Sequence, residues 1–203
     1  MTAEEFRVLL MERSDQDLVG MCLRSDVIPY VFDLDEPRWR RFRDNIAQNL
    51  GVLSTGIGVV GSARFGFSLK PGNNFRKFED TSDIDLVVVS EEVFDDLWSR
   101  LLRGVYPRPP AQIGGWLRDR QKEVYTGWLT PTAIRPDLRI YGQRVKPILE
   151  ISHLWFSALK RASSNIEKSH EKINARLYRS WLHAELYHLH SIKSLKAKTS
   201  EES

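Results

Sequence analysis

Two short segments of this chain carry residue types suited to phosphate chemistry. The first is Gly61-Ser62-Ala63-Arg64-Phe65-Gly66, which follows the β-branched run Ile57-Gly58-Val59-Val60. A glycine-serine turn after a strand lets backbone N–H groups and a hydroxyl come close to phosphate oxygens. The second is Ser82-Asp83-Ile84-Asp85-Leu86, which opens an apolar run ending at Val89. Side chains alternate along a strand, so Asp83 and Asp85 point to one side, about 7 Å apart at their Cα atoms. Two carboxylates aimed alike repel unless a cation lies between them or one is protonated. Hard oxygen ligands on a rigid strand suit Mg²⁺, which takes carboxylates together with substrate phosphates.

The elements that must position these residues can be read from pattern. Residues 1–50 read as a helical segment. Thr2 with Glu5 forms a capping box ahead of Phe6, Leu9 and Leu10, and Ser14 with Asp17 starts a second helix. Asp35-Glu36-Pro37 opens a third through Trp39, Phe42, Ile46 and Leu50, which Gly51 terminates. Residues 51–147 form the core, with strands at Ile57–Val60 and Ile84–Val89. The second is a continuous β-branched run, as a central strand covered on both faces requires. Ser90 caps a helix through Phe94, Leu97, Trp98, Leu101 and Leu102, and Gly104 with the prolines at 107, 109 and 110 marks a loop. A helix is expected over 112–123, with strands at Val124–Leu129 and Ile134–Tyr141. Residues 148–203 read as a helical region packed with the core as one unit; Ile166, Ile173, Leu177, Trp181, Ala184, Leu189, Ile192 and Leu195 fit one long amphipathic helix. The fold class is therefore α/β (α+β), a small mixed sheet flanked by helices.

Of the 203 residues, 41% are hydrophobic and 28% charged, which excludes disordered and fibrous classes. No stretch has the roughly 18 uninterrupted apolar residues of a membrane span. The N-terminus lacks the basic start and apolar core of a signal peptide, and Cys22 has no cysteine to pair with; a cytoplasmic protein is expected. The net charge of +3 hides an asymmetry: 14 Lys/Arg against 18 Asp/Glu in residues 1–110, and 16 against 9 in residues 111–203. A basic C-terminal half could lie along RNA or nucleotide phosphates, or could be a solvated helix face.

Gly-Ser followed by Asp-x-Asp and apolar residues resembles the signature of the DNA polymerase β-type nucleotidyltransferases, over residues 57–90. The resemblance implies that sheet fold and a transfer of nucleoside monophosphate from a nucleoside triphosphate, ATP among them, to a hydroxyl acceptor, with release of pyrophosphate. It implies that Gly61 and Ser62 cradle the terminal phosphates and that Asp83 and Asp85 bind Mg²⁺, with Mn²⁺ as a substitute. It also implies a third carboxylate on a neighbouring strand. Asp137 is the first candidate for it, provided residues 137–140 pair beside residues 83–89; a turn aspartate after Pro136 is the alternative reading, and Glu123 and Glu150 are outside candidates. Twenty residues, Ala63 to Ser82, separate Ser62 from Asp83, more than in the most compact members of the family. This insert carries Lys70, Arg76 and Lys77 around a Pro71-Gly72-Asn73-Asn74 turn, and could lean over a triphosphate as a flexible basic flap. Arg64 and Lys70 are the further phosphate contacts.

His183, His188 and His190 have no metal-ligand spacing and read as scattered surface histidines. Arg176, Tyr178, Arg179 and Trp181 could contact a base, or pack in the core. The acceptor could be a small molecule, a protein hydroxyl or an RNA end. Two other classes stay open: a catalytically degenerate binding module with a protein partner, as in toxin–antitoxin or phage-defence systems, and an RNA-binding protein without catalysis.

Overall fold

The computed structural model describes residues 1–23, 26–105, 115–136, 138–164, 166 and 172–202. The N-terminal helices start where their caps are written. Helix α1 (Ala3–Glu12) opens on the Thr2/Glu5 capping box, with Glu5 N–H donating to Thr2 Oγ1 at 3.2 Å and Thr2 N–H to Glu5 Oε2 at 2.8 Å. Helix α2 (Asp15–Leu23) starts with Asp17 N–H donating to Ser14 Oγ at 3.1 Å. Asp35 caps α3 (Glu36–Leu50) by accepting from Arg38 N–H at 2.9 Å, and Gly51 ends it at φ 68°. That left-handed conformation is the reason for glycine there.

Strand β1 (Ile57–Val60) leads through Gly61 into the one-turn helix α4 (Ser62–Phe65). After the insert come β2 (Ile84–Val89) and α5 (Glu91–Val105), the latter capped by Ser90, whose Oγ accepts from Val93 N–H. Next are α6 (Gly115–Tyr125), the two-residue β3 (Trp128–Leu129), the short α7 (Leu138–Tyr141) and the long α8 (Lys146–Ser164). Strand β4 (Ile173–Tyr178) and helix α9 (Trp181–Glu202) complete the described chain. The four strands lie in the order β1-β2-β4-β3: β1 runs antiparallel to β2, β4 parallel to β2, and β3 antiparallel to β4. The architecture is mixed α+β around a mixed sheet.

Four sequence expectations are corrected. Ile173–Tyr178 is a strand at the centre of the sheet, and the last helix begins only at Trp181. Ile173 and Leu177 fit a helical face together with Ile166 and Trp181, but with Ala175 between them they also alternate with Asn174 and Arg176, and pairing with β2 selects the period of two. Ile134–Tyr141 is not a strand, since Leu138–Tyr141 is helical. Both edges of β2 are taken by β1 and β4, so residues 138–140 do not pair beside it. Of Val124–Leu129 only Trp128–Leu129 is extended, because α6 runs to Tyr125. Gly104 lies inside α5 rather than in a loop. Asp137, the prolines at 107, 109 and 110, and the first residues of the helix expected from 112 lie outside the described residues.

The sheet separates two cores. Ile57, Val59, Ile84, Leu86, Val88, Ile173, Ala175 and Leu177 face α3, α5 and α8 in one cluster with Trp39, Phe42, Leu97 and Trp155. On the other face Val60, Val87 and Tyr178 pack with Phe6, Leu18 and Cys22 and with Ile192 of α9. Among the described residues no helix is long and apolar enough to cross a membrane.

Candidate functional site

Strand alternation sends Asp83 and Asp85 to the α2/α9 side of the sheet, together with Val87 and Val89. The apolar cover on that side stops at Val87, and beyond it a cavity of about 690 Å³ opens over the start of β2. Small-molecule sites usually fall within roughly 300–1,000 Å³. Gly61, Ser62, Asp83 and Asp85 all line this cavity. The antiparallel register places Val60 opposite Asp85, which brings the Gly61 turn onto the carboxylate. Gly61 sits at φ 67°, ψ −146°, and a Cβ built on it would lie 3.7 Å from Asp85 Oδ2. Only glycine adopts that backbone at little cost, and its lack of a side chain keeps the approach to Asp85 open.

The next strand supplies a residue that motif reasoning missed. Asn174 of β4 pairs with Asp85 in the parallel register, and its amide Nδ2 donates to Asp83 Oδ2 at 3.1 Å and to Asp85 Oδ1 at 3.3 Å. One amide therefore bridges the two carboxylates. Burial pushes the Asp85 carboxyl above its ordinary value, the Asn174 hydrogen bond pulls it back, and the Asp83 charge adds to the rise. Asp85 keeps solvent-accessible surface, but protein packs closely around its carboxylate. Two adjacent carboxylates bridged only by an amide form a donor set short of positive charge, and this fits a divalent cation whose other ligands come from substrate phosphates. Among the described residues no group of three or more His, Cys, Asp or Glu converges as a metal cluster. Neither of the outside candidates lines the cavity: Glu123 is buried and paired with Arg120, and Glu150 is exposed on α8.

The insert forms the opposite wall. Phe67 bridges Lys77, Ser68 N–H donates to the Arg76 carbonyl at 2.8 Å, and Phe78 N–H donates to the Gly66 carbonyl at 2.9 Å. The loop so closed carries Lys70 and Arg76 to the cavity. Its tip is tied to α1, because Arg7 Nη2 donates to Asn74 Oδ1 at 2.7 Å and the Arg7 guanidinium lies 4.7 Å from the Phe75 ring centre. Phe75 in turn packs with Phe6 and Phe67. Arg64 is elsewhere: it is buried, donates from Nε to the Met21 carbonyl at 2.8 Å, and does not line the cavity.

The remaining wall comes from β4 and α9. Arg176 packs against Tyr187 and Trp128, with its guanidinium 4.4 Å and 4.7 Å from their ring centres. Burial pushes the Tyr178 hydroxyl up to about 12, against the pull of Arg176. His188 also lines the cavity. Burial, reinforced by Arg176, lowers its pKa to about 4, so the ring is neutral at pH 7, and its Nε2 has no hydrogen-bond partner among the described residues. His188 thus departs from the scattered surface histidines expected. Arg179 is held by Asp95 and Glu91 of α5, and Trp181 packs against the second core.

Comparison with family models, with curated proteins and with solved structures finds no match for this chain.

Proposed function

We propose that the cavity binds a nucleoside triphosphate with Mg²⁺, and that the chain is a nucleotidyltransferase of the DNA polymerase β type. The observation that carries this reading is the juxtaposition of the Gly61-Ser62 turn with the Asp83/Asp85 pair across the β1–β2 register. Resemblance in sequence needs the two segments only in order; the reaction needs them in one cavity. Ser62 and the adjacent N–H groups bind terminal phosphate oxygens, and Lys70 and Arg76 neutralise phosphate charge from the insert. Asp83 and Asp85 would hold Mg²⁺, or Mn²⁺ in its place, and the ion would supply stabilisation of the charge that develops during transfer. The acceptor hydroxyl oxygen forms a bond to the α-phosphorus and loses its proton to solvent, the bond to the pyrophosphate oxygen breaks, and pyrophosphate leaves with the electron pair.

A second reading has its own observation. The place on β4 beside Asp85 holds Asn174, an amide that donates to both carboxylates and carries no negative charge. This favours a module that binds the metal–nucleotide complex without turning it over, its output passing to a protein partner. Incubation with each labelled nucleoside triphosphate and Mg²⁺ or Mn²⁺, followed by a search for labelled product, separates the two. Label transfer that disappears in Asp83→Asn supports the transferase. Nucleotide binding that needs Asp83, without transfer to protein, RNA or small-molecule acceptors, supports the silent module. Absence of metal-dependent nucleotide binding overturns both.

A further inference from the structure

Asn174 belongs to two cavities. Beyond it, on the side away from Gly61, a second cavity of about 1,050 Å³ lies between α8, the turn at residues 131–135 and the first residues of β4. Its charged lining residues are Arg135, Lys160 and Lys172, with no carboxylate among the described residues that line it. Phe156, Lys160 and Ser163 fall at helical spacing on one stripe of α8 and all reach this cavity, while Trp155, Ala158 and Ala162 face the core. Phe156 is 54% exposed, an aromatic ring left bare beside three cations. The floor beneath is apolar, with Leu159 and Ile173. Cations beside an open ring and an apolar floor make up the chemistry that holds a nucleotide: charge for the phosphate and a flat face for the base.

We propose that this second cavity receives the acceptor, and that the acceptor is a nucleotide, free or at the end of an RNA strand. The proposal rests on the first cavity's binding the donor triphosphate. Its geometric basis is Asn174, which lines the second cavity while its Nδ2 touches both Asp83 and Asp85. A sugar hydroxyl at the Asn174 end of the second cavity is next to the carboxylate pair, with the base on Phe156 and the phosphate among Arg135, Lys160 and Lys172. The hydroxyl oxygen then bonds to the α-phosphorus of the donor, pyrophosphate leaves with the electron pair, and the hydroxyl proton passes to solvent.

Binding to the full chain tests this without turnover. The probes are a fluorescent hexaribonucleotide, unlabelled AMP as competitor, and Mg·ATP titrated separately. Lys160→Glu and Arg135→Glu are expected to weaken oligonucleotide binding about tenfold or more and to lower its salt slope by about one for each phosphate that is no longer neutralised. Phe156→Ala should weaken it about fivefold or more, and Phe156→Trp should restore it. Mg·ATP affinity and melting temperature should stay at parental values in all four, since these side chains are exposed and line no part of the first cavity. Competition by AMP identifies a free nucleotide as the acceptor, and competition only by longer strands identifies an RNA end; either supports the proposal. Parental oligonucleotide binding in the charge reversals, or no binding of either probe, overturns it. If Mg·ATP fails to bind, or binds regardless of Asp83→Asn, the reading of the first cavity fails. Oligonucleotide binding that persists then marks a nucleotide site with no acceptor role, and the proposal fails with it.

Discussion

The two faces of the central sheet are built from alternate residues of the same strands, yet they do different work. Toward α3, α5 and α8, the residues Ile84, Leu86, Val88, Ile173, Ala175 and Leu177 are apolar along the full length of β2 and β4. Toward α2 and α9, the same strands begin with Asp83, Asp85, Asn174 and Arg176 and become apolar only at Val87 and Tyr178. One face supplies most of the burial that holds the sheet; the other is interrupted so that charge can be exposed on a rigid support. Substitutions on the two faces should therefore separate stability from ligand binding.

The largest loss of stability is expected from the apolar face. Leu177 is fully buried there, and Leu177→Ala should cost about 2–5 kcal/mol in chemical denaturation, through lost transfer energy and a residual cavity. Nucleotide affinity of the folded fraction should be unchanged. A matching loss of affinity would show that the two faces are not independent.

Next comes the turn at the edge of the other face. Gly61→Ala forces a side chain into a backbone conformation that only glycine adopts readily, at a cost of about 1–3 kcal/mol. Gly58, inside the preceding strand β1, provides the contrast: its φ is ordinary, and the nearest atom to an added Cβ is the Leu23 carbonyl oxygen at 3.8 Å. Gly58→Ala should leave both melting temperature and nucleotide binding near the parent, whereas Gly61→Ala lowers both. Equal behaviour of the two variants would remove the special role of Gly61.

A smaller effect follows from His188, whose pKa falls from 6.5 to about 4 on folding. Between these values the unfolded chain binds more protons than the folded one, so stability rises with pH across that window and is lost as pH falls through it. The expected acid-side loss is on the order of 1–2 kcal/mol once solvent screening is allowed for. His188→Gln should flatten the melting-temperature profile between pH 4 and 6.5. An unaltered profile would assign the acid sensitivity to other groups.

What the sequence made legible divides along the same lines. Caps and periodicity at Thr2, Ser14, Asp35, Gly51 and Ser90 specify their helices locally, and the run from Ile84 to Val89 can satisfy its burial only as a central strand. The Gly61-Ser62 and Asp83/Asp85 segments were visible because each is a local pattern, and the structure lines one cavity with both. Asn174 and His188 were not visible as site residues, and Arg176 stood out only within a basic-aromatic cluster that also read as core packing. Their places depend on β4 docking beside β2 across more than eighty intervening residues, and no local spacing encodes that pairing. Ile173 and Leu177 satisfied both a helical and an extended pattern, since i and i+4 share a face in each; the parallel hydrogen bonds of β2 decided between them. Arg64 shows the opposite error, since a basic residue beside a phosphate-type turn proved to hold the Met21 carbonyl from a buried position.

The smallest stability change should be the most informative about function. Asn174→Asp replaces the bridging amide with a third carboxylate beside Asp83 and Asp85. Without metal, the variant loses two hydrogen bonds and gains like-charge repulsion, so it should be less stable by about 1 kcal/mol. With Mg²⁺ the sign reverses, because a ligand bound by the folded state alone stabilises it in proportion to the logarithm of its concentration over its dissociation constant. The Mg²⁺-induced rise in melting temperature should therefore be larger in Asn174→Asp than in the parent, and absent in Asp83→Asn. If the parent is a silent nucleotide-binding module because Asn174 stands beside Asp85, the same substitution should introduce label transfer from a nucleoside triphosphate. If the parent already transfers, the variant should do so with a lower Mg²⁺ requirement. A variant insensitive to Mg²⁺ in both melting and transfer would show that the acidic end of this sheet face does not bind metal, and the contrast between the two faces would then be one of solvation alone.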